Sequence, residues 1–433
     1  MRLLPKRFAA KLDSLLWRSL NSYGRIKYRY LLPVYRAFGM MKTAQPSDAH
    51  SGTLQRAGAL SRMLNPVEAD YYTRQLSGVI ERVKSSEGAV IFLPSIGWEI
   101  PLAQRPHHLA REFARRGHVV IFDSSSSFDD VNGFREVEPN LFLYRGPEEV
   151  LPRVPDPLLW VFTHNYESRR RYPASARTVY DWIDDFEVFP YDRAFLESNH
   201  AAALKEATLV ASVARTLHES ALTERPDALY LPNAVEYQRF ADDLAAPPAD
   251  PDIEALRREG KPVAGYYGAL AEWFDYGLLD EVAGMRPDWN FLLIGPVYDL
   301  GLRTRGQGML KRHNIRWIGQ RDYDTLPGYL SLFDVAIIPF AINSITLATS
   351  PLKLYEFFAA GKPVVTTRMP ECEAFPEVRA VAGARAFSEA LDQALAEGRD
   401  PLAKERLRRL GRENSWAARV ETVLQRFKDR KGD

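Results

Sequence analysis

The 433-residue chain contains a single cysteine, Cys372. One cysteine cannot form a disulfide within the chain, and it offers no thiolate cluster for a structural zinc ion. The sequence also lacks a run of about 18 uncharged apolar residues, so we expect no transmembrane helix. It contains no internal repeat. These features are typical of a protein from a reducing compartment, and we expect a cytoplasmic location.

Charge is balanced overall but not along the chain. The chain contains 57 Lys and Arg residues and 56 Asp and Glu residues. Residues 1–42, however, contain ten Lys or Arg and only one acid, Asp13, and Leu, Trp and Tyr residues lie between the cations. This composition suits the headgroup region of an anionic membrane. It equally suits a basic helical extension packed on the protein or on a partner chain, and both interpretations stay open. We expect no secretory signal and no nucleic-acid partner.

Length and composition predict two α/β domains. The chain is too long for one ordinary hydrophobic core. Its apolar content of 46% is enough to form two such cores. Strands are predicted at residues 89–94, 119–123, 141–144, 158–163, 178–182, 209–212, 228–231, 263–267, 290–294, 316–318, 335–338 and 363–367. Helical segments alternate with most of these strands, so both sheets should be mainly parallel and covered on both faces.

Composition also predicts the boundaries between these parts. A basic extension should occupy residues 1–45, and a polar connector with a following helix residues 46–84. The linker between the domains should lie within residues 241–252, which are rich in Pro, Asp and Ala. The two domains should therefore span residues 85–245 and 253–412, and a final helix should occupy residues 413–433.

The most informative stretch is residues 350–367, SPLKLYEFFAAGKPVVTT. It predicts a helix capped by Ser350, with Pro351 at the first helical position and Gly361 at the C-cap. A buried strand is predicted just before it, so the helix should begin at the carboxyl edge of a parallel sheet. Free N–H groups and the helix dipole favour an anion such as phosphate at that position.

Lys353 and Glu356 lie on the same face of this predicted helix. The ammonium can meet a pyrophosphate, while the carboxylate, one turn deeper, can accept hydrogen bonds from a ribose diol. The alternative is an exposed ion pair of little energetic weight on an ordinary amphipathic helix.

Residues 350–367 resemble the donor-site signature of the large group of retaining GT-B glycosyltransferases that use nucleotide sugars. Residues 265–275 (GYYGALAEWFD), 287–296 and 314–329 resemble further segments of the family's C-terminal domain, in the same order. Residues 105–117 (RPHHLAREFARRG), 179–185 and 230–235 resemble segments of its N-terminal domain. The resemblance covers residues 85–430. It implies two Rossmann-like, doubly wound domains facing a cleft, with the last helix crossing back to the N-terminal domain.

The resemblance implies an enzyme that moves a sugar from a nucleotide sugar to a glycan or lipid-linked glycan, in bacterial surface polysaccharide assembly. It implies retention of configuration and no metal or other cofactor. The implied catalytic residues are His164, Lys353 and Glu356. The implied donor-binding residues are Gly97, Gly268, Arg321, Ser350, Pro351, Leu352, Lys353 and Glu356. The implied acceptor-binding residues are Trp98, Arg105, His107, Asp184 and Asp185.

Several of these side chains outside residues 350–367 also have an ordinary interpretation. Trp98 can simply pack, His107 can cap its helix, and His164 can be a solvated loop residue. Asp184 and Asp185 follow a predicted strand, where an acidic pair is commonly a cap rather than a metal site.

The chain also departs from the family pattern. Many members carry a second Glu eight positions before the ribose Glu, where this chain has Ala348, and an Arg and a Lys where it has Ala269 and Phe274. Charge compensation would then fall on Lys353, the helix N-terminus, and Arg321 or Arg105. Two alternatives therefore stay open: a nucleotide-sugar epimerase and a catalytically silent GT-B scaffold.

Overall fold

The computed structural model describes residues 66–100, 103–124, 129–241, 250–298 and 306–432. The basic segment 1–42 and the connector lie outside these residues, as does most of the predicted linker. Within the described ranges, no helix combines the length and the apolar character needed to cross a membrane.

The described residues form two compact units. The first contains the residues up to Ser212 together with Ser220–Leu229, and the second contains Val213–Glu219 and the residues from Tyr230 onward. Each unit is built around one β-sheet.

The first sheet has eight strands among the described residues, in the spatial order β3-β4-β2-β1-β5-β6-β7-β8. Its strands are β1 (Ala89–Phe92), β2 (Val119–Asp123), β3 (Gly133–Glu138), β4 (Leu141–Arg145), β5 (Leu158–Val161), β6 (Thr178–Trp182), β7 (Leu209–Ser212) and β8 (Leu229–Tyr230). The accompanying helices are α1 (Pro66–Lys84), α2 (Arg105–Arg115), α3 (Arg193–Glu206) and α4 (Arg215–Glu224), with 3₁₀ helices at Leu151–Arg153, Thr163–Arg171 and Phe186–Val188.

Strand β1 lies at the centre of this sheet, and all four of its residues are buried. It pairs in parallel with β2 on one side and with β5 on the other. The chain therefore reverses its direction of progress across the sheet at β1. In open α/β sheets, such a switch point opens a crevice outside the carboxyl ends of the strands, where ligands bind.

The second sheet has six strands in the described part of the chain, in the order β11-β10-β9-β12-β13-β14, and all its pairs are parallel. Its strands are β9 (Val263–Tyr267), β10 (Asn290–Ile294), β11 (Ile315–Trp317), β12 (Val335–Ile338), β13 (Val364–Thr367) and β14 (Val378–Val381). The helices are α5 (Tyr237–Ala241), α6 (Pro251–Glu259), α7 (Tyr276–Met285), α8 (Gln307–Leu310), α9 (Leu326–Leu330), α10 (Ser344–Leu347), α11 (Leu352–Ala359), α12 (Pro370–Glu373), α13 (Ala384–Glu397), α14 (Pro401–Glu413) and α15 (Trp416–Gly432), with a 3₁₀ helix at Tyr323–Thr325. The switch point lies between β9 and β12.

The predicted pair of mainly parallel α/β sheets is confirmed. The strand predicted at residues 316–318 begins one residue earlier, at Ile315. Strands β3 and β14 were not predicted. Both lie at sheet edges and carry charged residues, so they lack the continuous apolar pattern of a strand buried on both faces.

The C-terminal helix α15 is tied to the segment that enters the second unit. Arg419 Nε donates to the Pro232 carbonyl at 3.0 Å, and Val235 pairs with Ser415. The predicted return of this helix to the N-terminal domain stays a prediction.

Candidate functional site

The loop before α11 differs from the prediction by one residue. The N-cap is Pro351 and α11 begins at Leu352, so Ser350 as N-cap and Pro351 as first helical residue were wrong. The Ser350 hydroxyl instead accepts a hydrogen bond from the Asn233 N–H at 3.2 Å, and its carbonyl accepts one from Asn233 Nδ2 at 2.8 Å. Tertiary contacts with Asn233 therefore fix the loop, in place of a side-chain cap.

This arrangement leaves the first turn of α11 open. Pro351 has no N–H group, and the Leu354 N–H bonds back to the Pro351 carbonyl at 3.0 Å. The amides of Leu352 and Lys353 have no acceptor among the residues that the structure describes. Free amides at a helix N-terminus form a binding site for an anion.

The other end of α11 is closed by a Schellman motif. The Gly361 N–H bonds to the Phe358 carbonyl at 2.8 Å, and the Lys362 N–H bonds to the Phe357 carbonyl at 2.9 Å. Gly361 lies one residue beyond the C-cap that was predicted for it, with a φ of 65°. A glycine is favoured there because the backbone is left-handed.

Lys353 lies in an aromatic setting next to this N-terminus. Its Nζ is 4.8 Å from the centroid of the Phe340 ring and 5.3 Å from that of Tyr266. No carboxylate in the described ranges forms an ion pair with it. Burial lowers the pKa of the ammonium to about 8, against the opposing effect of the Glu356 charge. Lys353 is therefore a cation whose charge is available to a ligand.

Gly268 lies directly beside Lys353. It follows β9 with a φ of 135°, and a Cβ placed on it would lie 3.0 Å from Lys353 Cε. The backbone of this first turn after β9 thus approaches the ammonium closely. The structure brings together Gly268, Lys353 and the start of α11, as the donor-site prediction requires.

Glu356 lies one turn into α11 and is only 1% exposed. Its Oε2 accepts a hydrogen bond from the Tyr267 hydroxyl at 2.7 Å, and its Oε1 accepts one from the Tyr323 hydroxyl at 2.8 Å. Burial raises the pKa of the carboxyl, whereas the two hydroxyls and Lys353 lower it. The alternative of an exposed Lys353–Glu356 ion pair was wrong.

Tyr267 and Tyr323 were not singled out in the sequence. Tyr267 is the last residue of β9, immediately before Gly268. That position next to a predicted donor-binding residue could have identified it. Tyr323 comes from a 3₁₀ helix 33 positions before Glu356, which no local pattern connects to α11. Each carboxylate oxygen of Glu356 keeps a second acceptor position, so the two tyrosines orient the group without saturating it.

The guanidinium of Arg321 is bound by other residues of the protein. Its Nη2 donates to Asp250 Oδ2 at 2.7 Å and its Nε to the Tyr329 hydroxyl at 3.0 Å. Its role in donor binding stays a prediction. Ala348 is buried at the C-cap of α10, so that position holds no carboxylate.

In the first unit, Arg105 is an interior residue. Its guanidinium forms a bidentate pair with Asp181, at 2.8 Å and 3.0 Å, and both side chains are almost fully buried. Trp160 Nε1 also donates to Asp181, at 3.0 Å. The pair holds α2 against β6 and β5. The Asp181 carboxylate already compensates the charge of Arg105, and the predicted roles of Arg105 toward the acceptor and the diphosphate stay predictions.

His107 caps α2. The Gln104 N–H donates to His107 Nδ1 at 3.0 Å, so Nε2 carries the proton and donates to the Gly97 carbonyl at 2.9 Å. Burial lowers the pKa of His107 to about 3, which keeps the ring neutral. The Arg111 guanidinium lies 4.8 Å from the Trp98 ring. The contacts of these residues match the packing and capping alternatives, and their roles toward ligands stay predictions.

The remaining predicted residues follow β5 and β6. The His164 ring stacks with Phe162 and with Tyr191, with ring centroids 5.9 Å and 5.8 Å away. Asp185 caps a 3₁₀ helix by accepting from the Glu187 N–H at 2.8 Å, and the Asp184 carbonyl accepts from Trp182 Nε1 at 3.1 Å. Across the described ranges, no group of three His, Cys, Asp or Glu side chains has the arrangement of a metal site.

Comparison with known proteins finds similarities to part of the chain. Residues 261–397 match the model of the family described as "Glycosyl transferases group 1". The chain is also 31% identical over 198 residues to TuaH of Bacillus subtilis (strain 168), a protein assigned to teichuronic acid biosynthesis as a glycosyltransferase. That match covers 45% of this chain and 49% of TuaH, so the chain spans about half the length of this curated relative.

Solved structures with the same fold cover most of the chain. Sucrose-phosphate synthase from Thermosynechococcus elongatus is 18% identical, with a TM-score of 0.57, over 79% of this chain and 99% of its own. The Anabaena protein HepE, solved in complex with UDP, is 12% identical with a TM-score of 0.57, over 79% of this chain and 100% of its own. Trehalose 6-phosphate synthase from Burkholderia multivorans is 11% identical with a TM-score of 0.58, over 79% and 96%. The GT-B fold class predicted from the sequence is confirmed.

Proposed function

We propose that this chain, in which residues 261–397 form a glycosyl transferases group 1 domain, is a glycosyltransferase that takes its sugar from a nucleotide-sugar donor. The observation that carries the proposal is the constellation at the start of α11. Lys353 lies against the Gly268 turn, the amides of Leu352 and Lys353 are open, and Glu356 is held one turn deeper by two tyrosines.

The chemistry of donor cleavage matches this constellation. When the bond between the sugar and the diphosphate breaks, negative charge collects on the departing diphosphate and the sugar acquires oxocarbenium character. The two amides and the ammonium of Lys353 stabilise that charge without reorganising. Glu356 accepts hydrogen bonds from the ribose hydroxyls and thereby fixes the nucleotide. We further propose that transfer retains the anomeric configuration and needs no bound metal ion.

The preferred donor to test first is a UDP-sugar. HepE, which shares the fold, has been solved with UDP, with UDP and glucose, and with UDP-glucose. The acceptor that we propose is a glycan or lipid-linked glycan of a bacterial surface polysaccharide, because TuaH is assigned to teichuronic acid biosynthesis. The acceptor residues proposed from the sequence are Trp98, Arg105, His107, Asp184 and Asp185, with His164 near the donor sugar.

A cytoplasmic enzyme that acts on lipid-linked glycans would work at the membrane surface. The ten cations and interleaved aromatic residues of residues 1–42 support a peripheral attachment to anionic lipid. The test is cosedimentation with vesicles containing phosphatidylglycerol, with and without these residues. Binding that survives the deletion contradicts the attachment.

The function is tested by nucleotide release. The full-length protein is incubated with UDP-, GDP-, dTDP- and CMP-sugars, with and without membrane extract. Release that depends on the extract and is lost in Glu356→Ala is the expected result. Release without any acceptor favours the epimerase. If no donor binds or turns over, the protein is a scaffold, an alternative that the alanine at position 348 specifically favours.

A further inference from the structure

Within the second unit, the loop before α11 is bound by a segment that lies more than a hundred residues earlier in the chain. Both hydrogen bonds that Asn233 forms with Ser350 are short enough to be well formed, at 3.2 Å and 2.8 Å. Ser350 is only 3% exposed, so its polar groups depend on protein partners rather than on water. Because α11 has no side-chain cap of its own, the position of its first turn depends on Asn233.

The segment that contains Asn233 is in turn bound by the C-terminal helix α15. Arg419 Nη2 donates to the Asn233 carbonyl at 3.2 Å, and Arg419 Nε donates to the Pro232 carbonyl at 3.0 Å. The Trp416 N–H donates to the Val235 carbonyl at 3.1 Å. Residues 232–235 are therefore bonded to α15 at both ends, so Asn233 cannot shift without breaking several hydrogen bonds.

Arg419 also contacts α11 itself. Its guanidinium lies 5.8 Å from the centroid of the Tyr355 ring, which is within the range of a cation–π contact. The Tyr355 side chain is fully buried, and its hydroxyl lies 3.3 Å from Ser350 Oγ. Arg419 thus reaches the Ser350 loop by two routes, one through Asn233 and one through Tyr355.

The Ser350 loop leads directly into the open amides of Leu352 and Lys353. Hydrogen bonds weaken steeply when the donor is misdirected. Groups that stabilise a developing charge act well only if they are already oriented before the reaction. A misplacement of about 1 Å can cost about a hundredfold in activity. A contact that fixes this loop therefore controls how strongly the two amides attract an anion.

We propose that Asn233 and Arg419 are positioning residues for the diphosphate of the donor. They fix Ser350 and thereby orient the first two amides of α11, while Glu356 and the ribose lie one turn deeper. The inference rests on the proposed function. It deepens that function because it makes part of the donor affinity depend on a side chain of the C-terminal helix.

The test compares UDP with uridine, which lacks the phosphates but keeps the ribose. NMR titration of the full-length protein measures both affinities, with GDP and guanosine as a second pair. Asn233→Asp keeps the shape of the side chain but replaces its Nδ2 donor by an oxygen, which cannot donate to the Ser350 carbonyl.

Asn314→Asp is the matched control. Asn314 is 1% exposed, and its Nδ2 donates to three backbone carbonyls at 3.0, 2.9 and 3.2 Å. It directly precedes β11, at the amino edge of the second sheet, whereas α11 begins at the carboxyl edge. This variant therefore removes a buried amide of the same kind at a distance from the proposed donor site.

Asn233→Asp should weaken UDP binding about tenfold or more and leave uridine affinity unchanged. Asn314→Asp should lower the melting temperature and leave the ratio of UDP to uridine affinity as in the wild type. Arg419→Lys keeps the charge and can bind one carbonyl, whereas Arg419→Met can bind none. UDP affinity should therefore fall in the order wild type, Arg419→Lys, Arg419→Met. This series carries the test if Asn233→Asp does not fold.

The proposal is overturned if UDP affinity stays at the wild-type value in Asn233→Asp and in both Arg419 variants. It is also overturned if uridine affinity falls by the same factor as UDP affinity, because a general structural role would affect both ligands. A wild type that binds no nucleoside diphosphate would overturn the donor site and its positioning together. UDP binding without turnover of any nucleotide sugar would instead refute the glycosyltransferase and leave the roles of Asn233 and Arg419 standing.

Discussion

The affinity for a nucleoside diphosphate should fall as the pH rises from 7 to 9. Burial among Phe340 and Tyr266 lowers the pKa of Lys353 to about 8, so the ammonium loses its proton within this range. The diphosphate is fully attracted only by the charged form. A lysine with an ordinary pKa near 10.4 would stay charged throughout.

The size of the effect follows from this pKa. A group that titrates at about 8 is about nine-tenths charged at pH 7 and about one-tenth charged at pH 9. If only the charged form binds tightly, the dissociation constant of UDP rises about tenfold between these two values. This corresponds to about 1.4 kcal/mol of binding free energy.

Isothermal titration calorimetry with UDP at constant ionic strength measures the slope of UDP affinity against pH. Lys353→Met should bind weakly at both pH values and show no slope, and Lys353→Arg should keep its charge and also show none. Lys362 provides the control, because burial lowers its pKa to about 8 as well. Its Nζ donates to the Ser331 and Phe333 carbonyls at 3.2 Å and 2.8 Å, and we assign it no ligand.

Lys362→Met should therefore keep the wild-type slope. The reasoning is refuted if the wild type shows no pH dependence, if Lys353→Met keeps the slope, or if Lys362→Met abolishes it.

Three further predictions address neighbouring groups. Glu356→Gln should weaken UDP binding by ~1 to 3 kcal/mol through lost charge-assisted hydrogen bonds, and unchanged affinity in calorimetry would remove Glu356 from the ribose. Gly268→Ala should weaken UDP binding, because the added Cβ would lie 3.0 Å from Lys353 Cε, and it should lower the melting temperature, because the φ of 135° strains an alanine. Unchanged UDP affinity would contradict the close approach of Gly268 to Lys353. Asp123→Asn should stabilise the protein at pH 8 by up to about 4 kcal/mol in urea unfolding. The folded-state pKa of Asp123, about 7, lies above the ordinary 3.8, so the wild type loses stability as the pH rises from about 4 to about 7. If Asp123→Asn stabilised the protein equally at pH 4 and pH 8, the raised pKa of Asp123 would be refuted.

The fold could be predicted wherever the sequence gives a strong local signal. Strands β12 and β13 are buried along their whole length, and proline and glycine residues mark the ends of helix α11 between them. The one-residue error at the start of α11 has a tertiary cause. Ser350 is a good capping residue by propensity, but Asn233, 117 positions earlier, binds its hydroxyl and its carbonyl. Local capping preference cannot anticipate a partner so distant in the chain.

Partners distant in sequence also decide which cations of the site are neutralised. Lys353 was the main candidate for the diphosphate, and Arg321 or Arg105 was named beside it as a further source of positive charge. The partners that distinguish them are distant in sequence: Asp181 lies 76 positions from Arg105, and Asp250 lies 71 positions from Arg321.

Lys353 has a carboxylate much nearer, at Glu356, yet that group accepts its hydrogen bonds from Tyr267 and Tyr323. The local rule that pairs oppositely charged residues on one helix face therefore fails here, because two buried hydroxyls take the carboxylate instead. Of the three cations, Lys353 is the one that the described residues leave unneutralised. In the proposed reaction, a single ammonium and two amides stabilise the departing diphosphate, so the charge of Lys353 should affect the pH dependence of donor binding.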